Sequence, residues 1–123
     1  MTGRLLVSVV DDDESVRDSL PDLLRQFGFV AQGFSSAEAF LASEVVDETS
    51  CLLLDIAMTG MSGLDLQQEL KRRRLQIPIV FITAQGDETL RPRLLARGAA
   101  ECLFKPFSET ALLEALDAAL GLT

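Results

Sequence analysis

Short apolar runs alternate along this chain with stretches of helical period. Residues 5–10, 29–34, 51–54, 79–83 and 101–104 read as strands, three of them apolar enough to be buried on both faces. Between them Val16, Leu20, Leu24 and Phe27 recur at helical spacing, and Leu66 with Leu70 marks a third helix. Ser35 with Glu38 resembles a capping box ahead of Phe40 and Leu41. The last helix runs from Ser108, an N-cap, through Leu112, Leu113, Leu116 and Leu120 to Gly121, a stop. Two prolines disturb the pattern. Pro21 falls inside the first helix, where a lost backbone hydrogen bond predicts a kink or a cost of ~3 kcal/mol. Pro92 places the start of a short fourth helix near Arg91, after a long loop from Ala84 to Leu90. Five βα units predict an α/β fold, a parallel sheet covered on both faces.

With 123 residues, 48% of them hydrophobic and 24% charged, the chain has the material for one ordinary domain with a full core. A net charge of -8 argues against direct contact with nucleic acid or anionic lipid, which needs clustered Lys and Arg. No apolar run approaches the ~20 residues of a spanning helix, and the first runs straight into three aspartates with no cleavage-site pattern, so a soluble cytoplasmic protein is expected. Cys51 and Cys102 are too few for a disulfide scaffold and lack metal-type spacing. Placed on the third and fifth strands, they lie about 10 Å apart, beyond disulfide reach. The absence of His removes imidazole bases, His metal ligands and any phosphohistidine of this chain's own, so a phosphoryl donor must be another molecule.

Charged and hydroxyl side chains stand at four strand ends. Asp11, Asp12 and Asp13 follow the first strand, Asp55 the third, Thr83 closes the fourth, and Lys105 follows the fifth. In an open parallel sheet such ends converge on one crevice. Hard oxygen ligands, a carboxylate nucleophile, a hydroxyl and one cation suit phosphoryl uptake with Mg²⁺. Each group also has a plainer reading. Asp13 and Glu14 suit a helix N-terminus, Asp55 a turn starter, Lys105 a surface lysine before a turn, and Lys71, Arg72, Arg73 and Arg74 a solvated helix C-terminus or a docking patch. Their joint placement favours a site.

The segments Val9-Val10-Asp11-Asp12-Asp13-Glu14, Leu54-Asp55-Ile56-Ala57-Met58 with Gly60-Met61-Ser62-Gly63, Phe81-Ile82-Thr83-Ala84 and Phe104-Lys105-Pro106-Phe107 resemble the signature blocks of response-regulator receiver domains over essentially the whole chain. Ser36-Ala37-Glu38-Ala39-Phe40-Leu41 and the loop from Thr83 to Asp87 look most like the FixJ-type subgroup. The resemblance implies a doubly wound, CheY-like sheet of order 2-1-3-4-5 with five helices. It implies that Asp55 accepts a phosphoryl group from a sensor histidine kinase or phosphotransfer protein. Asp12, Asp55 and the main-chain carbonyl of Ala57 would bind Mg²⁺ directly, Asp11 would hold a metal-bound water, Lys105 would pair with Asp55, and Thr83 would bond the phosphoryl group. The surface of the fourth helix, fifth strand and fifth helix would then control an output domain or partner, or form a homodimer. Such a chain catalyses its own phosphorylation and dephosphorylation and is no enzyme in the ordinary sense. A single receiver over residues 1–123 without an output domain is expected, standing alone or cut from a longer regulator.

Three departures qualify this. Cys102 stands where the family usually has Tyr or Phe, and a thiol cannot move like a ring, so Phe104, of the same strand parity, is the candidate substitute in the switch. Thr59 replaces the usual proline after Met58, which frees the loop backbone and lowers the expected metal affinity. Lys105-Pro106 matches a bond that is cis in the family. Two rivals remain. A D-x-D at Asp11 and Asp13 resembles haloacid-dehalogenase-type phosphatases, but no further acidic strand end follows Lys105. A receiver-like interaction module working without phosphorylation would bind its partner unchanged after Asp55→Asn.

Overall fold

The computed structural model describes residues 5–84 and 88–122. Five strands, β1 (Leu6–Val10), β2 (Val30–Phe34), β3 (Cys51–Asp55), β4 (Ile79–Thr83) and β5 (Glu101–Phe104), alternate with helices α1 (Glu14–Gln26), α2 (Ala37–Leu41), α3 (Gly63–Arg72), α4 (Leu90–Ala96) and α5 (Glu109–Leu120). A 3₁₀ turn at Val46–Glu48 precedes β3. All strand pairs are parallel, in the order β2-β1-β3-β4-β5. The expected sheet is therefore present, with strand bounds shifted by one residue at β1, β2 and β3.

Alternate residues of each strand feed two separate cores. Val10, Leu52, Leu54, Phe81 and Cys102 pack with Phe40 of α2, Leu66 and Leu70 of α3 and Leu94 of α4. Val7, Val9, Cys51, Leu53, Val80, Ile82 and Leu103 pack with Leu20 and Leu24 of α1 and Leu112 and Leu116 of α5. Cys51 and Cys102 thus lie on opposite faces of the sheet, with β4 between their strands, and both thiols are free and buried. Burial pushes the Cys51 thiol up to about 12, and burial with the nearby Glu101 charge raises that of Cys102.

The structure refines these readings locally. Ser36, not Ser35, caps α2: its extended backbone lets Oγ accept from the Ala39 N–H at 3.0 Å. Counted from Ser36, Glu38 is one position early for a capping box, so it is free to bond elsewhere. The capping box is at α3, where Ser62 and Asp65 bond each other's backbone N–H groups. Helix α1 continues through Pro21. The proline ring and the Arg17 carbonyl, which it leaves without a helical donor, face Gly33 of β2, where a Cβ would come within 3.5 Å and 3.4 Å of them. Helix α4 is short, as expected, but begins at Leu90, so Pro92 stands third in it, still within the turn whose N–H groups have no helical acceptor. Of the loop before α4, residues 85–87, including part of the FixJ-like stretch, lie outside the described residues. Ser108 and Gly121 cap α5 as expected, Gly121 with φ 68°.

Candidate functional site

The carboxylates of Asp11, Asp12 and Asp55 each offer an oxygen, and these lie within 4.8 Å of one another. Strands β1 and β3 are neighbours in register, with Val10 opposite Leu54, so the residues that follow come out side by side at the C-terminal edge. Asp55 is itself the last residue of β3 and pairs with Ile82 of β4. Asp11 is fully buried, Asp55 is 7% exposed, and Asp12 faces solvent. Asp13 has the helical role expected of it: as N-cap of α1 its Oδ1 accepts from the Ser15 N–H and hydroxyl, and the Ser15 bonds hold its carboxyl below the ordinary value.

Lys105 enters from the end of β5, next to a cis bond to Pro106. Its Nζ donates to Oδ2 of Asp11 at 2.8 Å rather than to Asp55, the partner the resemblance implied. The reason lies in burial: Asp11 has no water to solvate it, so the ammonium goes where an unpaired charge would cost most. Asp11 Oδ1 accepts from the Asp13 N–H at 2.9 Å, and Arg17 Nη1 donates to the Asp11 main-chain oxygen at 3.2 Å, which fixes the β1–α1 corner. Asp55 is left with less support. Burial first and the Asp11 charge second push its carboxyl up to about 6, against the opposing pull of Lys105.

The donor set fits a hard divalent cation. Three carboxylates face one ammonium, which leaves two negative charges to offset, and the oxygens are of the type that Mg²⁺ prefers. The Ala57 carbonyl, on the loop after β3, accepts no hydrogen bond among the described residues. Thr83 ends β4 opposite Phe104 in register, and Phe81 lies opposite Cys102. Cys102 is buried in the α3/α4 core, and Phe104 packs half-buried against the same cluster, in agreement with the shared parity read from the sequence. An ion pair between Arg91 and Glu101 at 2.6 Å joins α4 to β5. The basic run takes its plain reading: Arg72 and Arg73 both bond Glu69, and Lys71 Nζ donates to the Arg97 carbonyl.

Sequence reasoning missed two contributors. Thr59 donates its N–H to Oδ2 of Asp12 at 3.2 Å, and Glu38 accepts from the Met61 N–H at 3.1 Å. Neither is a local pattern, since the partners are 47 and 23 residues apart in sequence. The Ser62/Asp65 box, in contrast, was readable as S-x-x-D ahead of Leu66.

A family model described as the response regulator receiver domain matches residues 7–117. Nodulation protein W of Bradyrhizobium diazoefficiens is 46% identical over 116 residues, covering 94% of this chain and 51% of that protein. The chain spans about half the length of the curated relatives it matches. Among solved structures, the response regulator StyR superposes with a TM-score of 0.87 at 47% identity, over 98% of this chain and 61% of that one. FixJ-N superposes with 0.85 at 34% identity, over 99% and 98%.

Proposed function

The chain belongs to the response regulator receiver domain family, and we propose from this that Asp55 takes a phosphoryl group from the phosphohistidine of a sensor histidine kinase or phosphotransfer protein. The observation that supports this most is the cluster of Asp11, Asp12 and Asp55 with Lys105 bonded to its most buried member. An Asp55 carboxylate oxygen attacks phosphorus; the new O–P bond forms as the P–N bond breaks, and the electron pair goes to the imidazole nitrogen, which ends protonated from solvent. Asp12, Asp55 and the Ala57 carbonyl would hold Mg²⁺, with Asp11 supporting it through a water, and the ion would supply charge neutralisation and alignment for the transfer. Lys105 then leaves Asp11 for a phosphoryl oxygen, and the Thr83 hydroxyl donates to another. Removal of the Thr83 hydroxyl from its resting place alters the packing between β4 and β5, where Cys102 and Phe104 sit. The α4/β5/α5 surface carries that change to an output domain or downstream protein, or to a second copy. Hydrolysis of the aspartyl phosphate by water resets the site. On this reading residues 1–123 act as one receiver in the cytoplasm, and nucleic acid and membrane are not its direct partners.

Intact mass after incubation with acetyl phosphate tests this, with wild type and Asp55→Asn, with and without chelator. A single alkali-labile, metal-dependent adduct confined to wild type is expected. No adduct on folded protein, alongside a control receiver that labels, would favour the second reading, a phosphate-independent interaction module. Burial of a thiol where the family carries a mobile ring is the observation on its side. Unchanged partner binding by Asp55→Asn would be its mark.

A further inference from the structure

The loop from Asp55 to α3 carries the Ala57 carbonyl past the acidic cluster. It turns at Gly60, whose φ of 81° is what the third position of a type II turn demands. In a closed turn of that kind the N–H of the fourth residue, Met61, bonds to the carbonyl of the first, Met58. Here the Met61 N–H is given to Glu38 Oε2 on α2 instead. A Cβ on Gly60 would stand 2.9 Å from that same oxygen, so the glycine leaves the opening through which the carboxylate reaches the backbone. Two residues before Met61, the Thr59 N–H reaches the other way, to Asp12. Thr59 holds the turn's second position, where a proline would fix φ near −65°. Threonine imposes no such restraint.

We propose that Glu38 is a positioning residue for the cation site, an inference that rests on the metal-binding reading of Asp11, Asp12 and Asp55. By accepting the Met61 N–H it replaces both the missing turn bond and the missing proline. The loop is then pinned between α2 and Asp12, with the Ala57 carbonyl and the Asp12 carboxylate held in place before any cation arrives. Partners that orient a ligand in this way commonly change metal affinity by about 10–100-fold. Glu38 acts through the backbone rather than on a ligand side chain, so the low end applies.

Titration with Mn²⁺, followed by the electron paramagnetic resonance of the free ion, tests this without any phosphoryl donor. Glu38→Ala should bind Mn²⁺ about 10-fold more weakly than wild type. Glu38→Gln keeps an acceptor oxygen but no charge, and should stay close to wild type. Amide exchange at Met61 in the metal-free protein should quicken in Glu38→Ala and in no other backbone region, which separates loop release from general unfolding. Equal weakening in the Ala and Gln variants would assign the effect to net charge and overturn the proposal. So would wild-type affinity in Glu38→Ala. A wild type that binds no Mn²⁺ would overturn the cation reading itself, and this inference with it.

Discussion

Asp11 and Asp55 are near neighbours with different fates, because only Asp11 has the lysine. Burial first and the Asp11 charge second push the Asp55 carboxyl up to about 6 from its ordinary 3.8. A folded pKa above the unfolded one means that the folded chain holds a proton the unfolded chain has already lost between about pH 4 and 6. Stability of the chelated protein should thus fall as pH rises through that window, by roughly 1–3 kcal/mol at 1.36 kcal/mol per unit. Urea unfolding at intervals from pH 4 to 7 would show the fall in wild type and its absence in Asp55→Asn; identical profiles would remove the assignment. Lys105→Met leaves the Asp11 carboxylate buried without its cation. The chelated variant should lose about 2–3 kcal/mol, toward the low end for a broken buried pair because the lysine is partly exposed. Saturating Mg²⁺ should return part of that loss, read as a recovery of the urea midpoint.

Helix α3 is tied to β3 by its first residue. The Gly63 N–H donates to the Ile56 carbonyl at 2.9 Å, and a Cβ at Gly63 would collide with the Asp55 carbonyl. Gly63→Ala should cost about 1–3 kcal/mol in unfolding free energy, as overpacking does, and slow phosphorylation more than Gly60→Ala slows it. A wild-type midpoint and labelling rate would show that the helix start shifts without strain. At this scale the sequence was legible where a signal is local. The buried runs of β1, β3 and β4 end in polar residues at the crevice, and Ser108 and Gly121 bracket α5 within a single periodic segment. Pro21 stands inside α1 as read, but the room that Gly33 leaves beside it belongs to a partner strand and had no local signal. Glu38 was read as a cap for its own helix, since nothing within α2 announces that its acceptor oxygen serves Met61.

Across the whole molecule, cation binding to the crevice should tie the β1–α1 corner to β3, because two of its three carboxylates, Asp11 and Asp12, lie in that corner and the third, Asp55, ends β3. A ligand that binds only the folded form adds about 2.7 kcal/mol at a hundred times its dissociation constant. Thermal unfolding with Mg²⁺ should therefore rise with concentration in wild type and scarcely in Asp12→Ala. Equal shifts in both would place the ion elsewhere. The strand positions that converge on the crevice were legible because an open parallel sheet brings successive strand ends to one edge. Which carboxylate holds the lysine was not, since that choice depends on depth, and depth is a property of the assembled layers.

The alternation of the strands places one thiol in each core, Cys51 under α1 and α5 and Cys102 under α3 and α4. The chain has neither Trp nor Tyr, so the usual optical probes are missing. Its two sulfurs take their place as a pair of built-in reporters, one per side of the sheet. Alkylation during a denaturant series, read site by site by peptide mass, should show both becoming reactive at the same midpoint if the sheet binds the two sides into one cooperative unit. Cys102 labelling at lower denaturant than Cys51 would show the α3/α4 side coming apart while the other still holds.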